Sequence, residues 1–357
     1  MNCIIFKNEK KYVNDFINLP VKLYGKDDNM ESPGTVKQLL LGNHPLSKYF
    51  TLYPFLIYSE KEVVGRFAIT AYENDDTAYL GFFECIDDNQ VSQYLFECAS
   101  DFCRRKKFSR ILGPVDASFW MKYRLKINRF DEKPYTGEPY NKSYYYQMFL
   151  NSGFEVMEHY TSNNYRAIDT SYENEKYEKR YREFLANGYE IKSPTTAEYD
   201  KTVEEVYELI TDLYKDFPIF KDLGKEDFKT IFADYKTIMN MSMTKIAYYK
   251  GKAVGFYISI PDYGNRVYHL DLKNLLPNLM YIMRNRKNPK RYVMLYMGVD
   301  REHRGLGKAL VYSIMKELMN NNLPSIGALA RDGKVTQTYA FDDIENVYEY
   351  VLLGKKL

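Results

Sequence analysis

The stretch with the most chemical content is Val299-Asp300-Arg301-Glu302-His303-Arg304-Gly305-Leu306-Gly307-Lys308-Ala309. Gly305 and Gly307 leave the backbone N–H groups around them unobstructed, and Arg304 and Lys308 bring positive charge to the same turn. An apolar run from Tyr292 to Met297 precedes it, and a helical pattern from Leu310 to Met319 follows. A strand, a glycine turn and a helix in that order set unpaired amides and the positive end of a helix dipole in front of an anion. The spacing is neither that of the lysine-bearing phosphate loop nor that of the dinucleotide fingerprint.

At 357 residues the chain is long for one core, so two domains are expected. Its 50 Lys and Arg nearly cancel its 48 Asp and Glu, so a phosphate-bearing partner has to be held by local geometry rather than by a basic surface. No stretch approaches the length of a bilayer span, and the apolar run at Ile4-Ile5-Phe6 is too short for a secretory signal. Cys3, Cys85, Cys98 and Cys103 form no CxxC pair, and His44, His159, His269 and His303 stand apart from them. Neither a metal site nor a nucleophilic triad is expected. The expectation is a reduced, cytoplasmic protein with no metal, nucleic-acid or membrane partner.

The elements that must position the glycine turn follow from patterning. Residues 1–50 hold short apolar pieces among Pro, Gly, Asn and Asp, with a short helix expected over Thr35 to Leu41. Phe55 to Tyr58 and Val63 to Ala71 read as a hairpin, followed by a strand from Ala78 to Ile86. Val91, Leu95, Cys98 and Phe102 share one helical face that Asp88 or Asn89 caps. Arg110 to Val115 reads as a strand, Asp116 to Asn141 as irregular, Tyr144 to Leu150 as a helix, and Phe154 to Ile168 as strand. A charged helical connector spans 169–187. Two striped helices come next, through Val203, Val206, Ile210 and Leu213 and through Phe228, Ile231, Phe232 and Tyr235, then a hairpin from Thr244 to Ile260. Residues 261–290 read as an insertion whose basic run, Arg284 to Arg291, is a solvated loop. After the glycine turn come a strand at Ser325 to Ala330, a short helix from Lys334 to Phe341 and a last strand at Val347 to Leu353. The order of elements repeats in the two halves without repeating the sequence.

Val299-x-x-x-x-Arg304-x-x-Gly307-x-Ala309 resembles the acetyl-CoA-binding motif of the GNAT (Gcn5-related) N-acetyltransferases, and the element order over roughly residues 188–357 is similar to that family's. The resemblance implies an α/β protein of two GNAT-like domains, each a mixed, mostly antiparallel twisted sheet flanked by helices. It implies a degenerate domain at 1–168, a connector at 169–187 and an acetyltransferase domain at 188–357. The backbone of Arg304, Gly305, Leu306, Gly307, Lys308 and Ala309 would hold the pyrophosphate of acetyl-CoA. Met297, Gly298 and Val299 would pair with the pantetheine arm, and an amide near Gly298 would polarise the thioester carbonyl. Tyr339 matches the tyrosine that protonates the departing thiolate, although the asparagine that often precedes it is replaced by Arg331-Asp332-Gly333. Asp300, Tyr296 and a chain of waters are all open as the general base.

The first half carries Cys85-Ile86-Asp87-Asp88-Asn89 at the equivalent turn, with no glycine and two carboxylates facing any pyrophosphate. It is expected not to bind CoA in the usual way. Gly81-Phe82-Phe83-Glu84, Gly113-Pro114 and Pro139-Tyr140-Asn141 resemble the front half of tandem-GNAT bacterial proteins. That half either supports the second or lines an acceptor pocket with Trp120, Tyr123, Tyr140 and Tyr144 to Tyr146. The function expected is acyl transfer from acetyl-CoA to a small-molecule or peptide amine, by a monomer or homodimer. A CoA-binding sensor or scaffold without catalysis is the alternative, and a peptidoglycan-type aminoacyl transferase is a third.

Overall fold

The computed structural model describes residues 1–269 and 275–357. The chain divides into two compact units. The first holds 1–160, 264–269 and 349–357, and the second holds 161–263 and 270–348. This differs from the linear division at 168 and 188. The helix read as a connector, Glu175–Ala186, lies in the second unit, and the end of the last strand, Ile344–Lys356, lies in the first.

In the first unit Asn2–Ile5, Thr51–Ser59, Glu62–Ala71 and Thr77–Cys85 form an antiparallel run. Thr77–Cys85 then pairs in parallel with Arg110–Gly113, which receives the chain's end in antiparallel register, Leu353 opposite Gly113. One face carries Leu95, Phe96, Ala99 and Phe102 of the Asn89–Arg105 helix against Phe67, Leu80 and Ile111. The other carries Val13 and Phe16 of the Lys10–Asp28 helix and Val36 and Leu39 of Pro33–Leu40 against Leu56 and Ala68. Both sheet faces are covered, so its central strands are buried on both sides and mostly apolar instead of alternating, with Arg66 and Glu84 as buried charged exceptions. The Lys10–Asp28 helix is absent from the sequence reading, because Pro20 and the kink at Gly25 (φ +69°) mimic loop signals.

The glycine motifs of this half are structural. A Cβ on Gly81 would lie 1.9 Å from the Val115 carbonyl oxygen, so only glycine lets the two backbones pass. Asn141 stands in for a strand neighbour: its Oδ1 accepts from the Lys126 N–H at 2.6 Å and its Nδ2 donates to the Lys126 carbonyl at 3.2 Å. Tyr123 and Tyr145 are buried, and Tyr145 donates to Glu84 at 2.7 Å.

The second unit orders its strands as Glu155–Ile168, Leu323–Arg331, Tyr292–Val299, Lys252–Pro261, Thr244–Tyr249 and Tyr189–Lys192, the first of these entering it at Thr161. Leu306–Asn321 lies on one face, with Leu306, Leu310, Ile314 and Leu318 against Val254, Tyr257, Tyr292 and Met294. The Tyr199–Tyr214 helix buries Val203, Val206 and Ile210 of the stripe read from the sequence and Leu209 beside them, with Leu213 half-buried. The fold is thus α/β, a mixed and mostly antiparallel sheet flanked by helices. Among the described residues, no helix is long and apolar enough to cross a membrane.

Candidate functional site

Tyr292–Val299 (the site strand) is apolar and enters the sheet between two neighbours. On one side it pairs antiparallel with Lys252–Pro261 as far as Val299 opposite Gly255, with a bulge that leaves Leu295 unopposed. On the other it pairs in parallel with Leu323–Arg331 only from Tyr292 opposite Ser325 to Met294 opposite Gly327. Beyond Met294 the two parallel strands part and leave a wedge. Asp300 N–H reaches the Val254 carbonyl at 2.9 Å, and the Gly298 oxygen lies 3.3 Å from where a Gly255 Cβ would stand. Since backbone groups alternate along a strand, Met297 and Val299 turn theirs to the wedge. Gly298 itself therefore faces the sheet, and the amides near it that face the wedge are those of its two neighbours. The Met297 carbonyl accepts from the Tyr214 hydroxyl at 3.1 Å.

The turn is built by Asp300, whose carbonyl takes the His303 N–H at 2.9 Å and whose Oδ1 takes the Glu302 N–H at 3.0 Å. Gly305 (φ +90°) then starts the Leu306–Asn321 helix (the site helix) in a left-handed conformation that a side chain disfavours. Among the described residues no side chain caps this helix, although the Leu306 and Lys308 amides turn to the His303 and Gly305 carbonyls at 3.2 and 3.3 Å, so no acceptor side chain offsets its dipole end. Gly307 serves a different purpose. It is helical, but a Cβ there would lie 2.2 Å from the Tyr339 hydroxyl oxygen and 3.3 Å from Met297 Cε. The structure thus brings Met297, Gly307 and Tyr339 together, with Gly305 and Leu306 beginning the helix beside them.

Tyr339 is not on a helix as expected. Lys334 to Phe341 resolves into two 3₁₀ turns, Val335–Thr338 and Phe341–Asp343, broken at Ala340 (φ +48°). The break is held by Tyr165, which donates to the Tyr339 carbonyl at 2.9 Å, and by Tyr177, whose hydroxyl accepts the Ala340 N–H at 3.0 Å. Burial, with the Tyr177 phenol second, pushes the Tyr339 phenol up to about 12. It stays protonated at neutral pH, as a proton donor must. Behind it a cleft of about 440 Å³, counting its open mouth, runs between Val311, Ile314 and Leu318 of the site helix and Tyr165 and Ile168.

The charged helix Glu175–Ala186 packs on the site helix and brings Arg180 to the turn, its guanidinium 3.7–3.8 Å from a Gly305 Cβ position. Arg180 was missed because only its segment's charge was read, although Tyr177, Tyr181 and Phe184 form an apolar stripe there. Among the described residues it pairs with Glu183, at 3.0 Å. Arg304 is exposed and Lys308 half-buried, neither in an ion pair among the described residues. His303 is fixed to the Tyr189 hydroxyl at 2.7 Å beside the stacked Tyr189–Tyr249 pair, which makes it part of the turn's wall. Of the base candidates, Asp300 spends Oδ1 on the turn, and Tyr296 stands edge-on to Phe232.

No family model matches the chain. It is similar to the structure of a tandem GNAT protein from the clavulanic acid biosynthesis pathway, over 99% of this chain and 98% of that one, at 12% identity and a TM-score of 0.53. The fold is that of the tandem GNAT proteins. The GCN5-related glucosamine N-acetyltransferase region of a fungal multi-domain GH3 β-N-acetylglucosaminidase is similar too, over 99% of this chain and 38% of that one, at 14% identity and a TM-score of 0.54. Among curated proteins, the bacterial ceramide synthase of Caulobacter vibrioides is 22% identical over 273 residues, 73% of this chain and 70% of that protein.

In the first unit the equivalent turn is closed from within. Asp88 caps the Asn89–Arg105 helix, its Oδ1 accepting from the Gln90 and Val91 amides at 2.8 and 3.1 Å. The carboxylate already stands where an anionic ligand would lie. Among the described residues, no cluster of three His, Cys, Asp or Glu side chains is gathered as a metal would need.

Proposed function

We propose that the second unit binds an acyl-CoA, acetyl-CoA first among the candidates, and passes its acyl group to an amine. The observation that carries this reading is the meeting of the strand wedge, the uncapped glycine turn and a protonated phenol at Met297, Gly307 and Tyr339. The uncapped helix start, with Arg180, Arg304 and Lys308 around it, suits a pyrophosphate. The wedge suits an amide-bearing arm, which would meet the Met297 and Val299 backbone as a further strand does. A thioester supplies the acyl carbon and a thiolate leaving group. The amine nitrogen bonds to that carbon as the C–S bond breaks, Tyr339 protonates the sulfur, and the nitrogen's proton leaves through water or a carboxylate. A ceramide is itself an N-acyl amide, so the name of the Caulobacter relative fits the same kind of bond.

Calorimetry with acetyl-CoA, CoA and ATP tests the reading, together with thiol release over a panel of amines. Binding of the two CoA species, lost in Gly307→Glu, supports it, and absence of binding overturns it. Binding without turnover on any amine, unchanged in Tyr339→Phe, would make the protein a CoA sensor.

A further inference from the structure

Residues 275–290, expected to end in a solvated basic loop, form the helix Leu275–Lys287 followed by Asn288-Pro289-Lys290. The helix is packed with the wrong residues outward for a soluble surface. Asn278 and Ile282 are buried, at 9% and 1% exposure, and Asn285 folds its amide back onto the Tyr281 carbonyl at 2.9 Å. Leu276, Met280 and Met283 point to solvent at 73%, 71% and 56% exposure. Their spacing of four and then three residues puts them within about 60° of arc, and Lys287 continues the same stripe. The apolar line therefore runs straight into a basic end.

That end is free to bind. Arg284, Lys287 and Lys290 make no ion pair among the described residues, whereas Arg286 donates to the Thr237 carbonyl at 3.2 Å and Arg291 to Asp262 at 2.6 Å. No Asp or Glu occurs from Leu275 to Arg291. We propose that this face docks on an anionic membrane surface, with Leu276, Met280 and Met283 in the acyl boundary and Arg284, Lys287 and Lys290 among the headgroup phosphates. Exposed apolar stripes flanked by unpaired cations are what interfacial helices present to lipid. A nucleic-acid backbone gives three large apolar side chains nothing to bury against. A second copy of the same face offers three cations no complementary charge. This placement was not legible in the sequence, which led to an expectation of no membrane partner. It stands independently of the acyl-transfer reading.

The test is co-sedimentation of the full chain with vesicles of phosphatidylcholine alone or with a third of phosphatidylglycerol, at low and high salt. Binding is expected on the anionic vesicles, weakened by salt and falling about fivefold for each charge removed in Arg284→Gln and Lys287→Gln. Leu276→Glu and Met280→Glu, both at exposed positions, should each lower it about tenfold or more with an unchanged circular dichroism spectrum. A chain that stays in the supernatant with anionic vesicles at low salt, or binds equally well as the Leu276→Glu/Met280→Glu double variant, overturns the proposal. So does a dimer that Met280→Glu dissociates without any vesicle binding, which would assign the face to a second copy.

Discussion

The contact between Gly307 and Tyr339 can be tested on stability alone. Inside a helix, Gly→Ala normally stabilises by about 1 kcal/mol. Gly307 has ordinary helical angles, so the same gain is available there. Against it stands the Cβ at 2.2 Å from the Tyr339 hydroxyl oxygen, roughly 1 Å or more inside van der Waals contact. The ring has to move, and displacing a packed aromatic costs about 1–3 kcal/mol, so Gly307→Ala should be destabilising by up to about 2 kcal/mol. Tyr339→Phe deletes the offending oxygen and leaves the ring carbon at 3.2 Å and Met297 Cε at 3.3 Å, both tight but tolerable. In that background Gly307→Ala should be neutral or stabilising. Urea unfolding of the four proteins closes the cycle, with an expected coupling of about 1–3 kcal/mol. Equal effects of Gly307→Ala in both backgrounds would refute the placement of Tyr339 over the glycine, and with it the observation on which the acyl-transfer reading rests.

Arg180→Ala should weaken CoA binding about threefold to tenfold by calorimetry, a modest loss because the side chain is half exposed, and the difference should shrink at high salt. An ordinary phenol begins to ionise near its usual 10.0, whereas Tyr339 is pushed up to about 12. Turnover at saturating substrate should therefore stay level on its alkaline side to about pH 10.5. The same raised value means that burial of the neutral phenol stabilises the fold fully below the ordinary value and is lost as pH rises towards about 12; Tyr339→Phe should lack that alkaline increment. Asp88→Ala should lower thermal stability by about 1 kcal/mol through loss of the helix cap while leaving CoA affinity unchanged.

Much of the site's frame was legible because its signals are local. A glycine pair between an apolar run and a helical stripe marks the turn wherever it occurs, and the strand and helix follow where the pattern put them. What was not legible depends on distant partners. The wedge arises because two apolar strands pair over three residues and then part, and an apolar run looks the same whether paired or not. Tyr339 was expected on a helix, but hydrogen bonds to residues more than 160 positions away in sequence hold its segment in broken 3₁₀ turns. Leu275–Lys287 was read as part of an insertion ending in a loop because its apolar residues face outward, which defeats any reading that assigns apolar stripes to the core.

The two units repeat one arrangement of paired strands and turn, and they differ in which atoms fill it. In each, the two parallel strands pair over three positions, Thr77 to Tyr79 with Arg110 to Leu112 in the first and Tyr292 to Met294 with Ser325 to Gly327 in the second. In the first unit the gap beyond is taken by the chain's own backbone. The Val115 carbonyl passes Gly81, and beside it the Asp116 side-chain Oδ1 accepts the Phe82 N–H at 2.5 Å. The following helix is closed by Asp88. Backbone in that position cannot swing aside, and a carboxylate cannot share amides with a second anion. In the second unit the atoms that meet the turn and the wedge are the ends of side chains, the Tyr339 and Tyr214 hydroxyls and the Arg180 guanidinium. Side-chain ends of this kind can rotate aside, as the proposed ligand requires. The difference is therefore that backbone and carboxylates fill the first site, whereas neutral and cationic side-chain ends meet the second, and under the acyl-CoA proposal one CoA per chain is the expected stoichiometry.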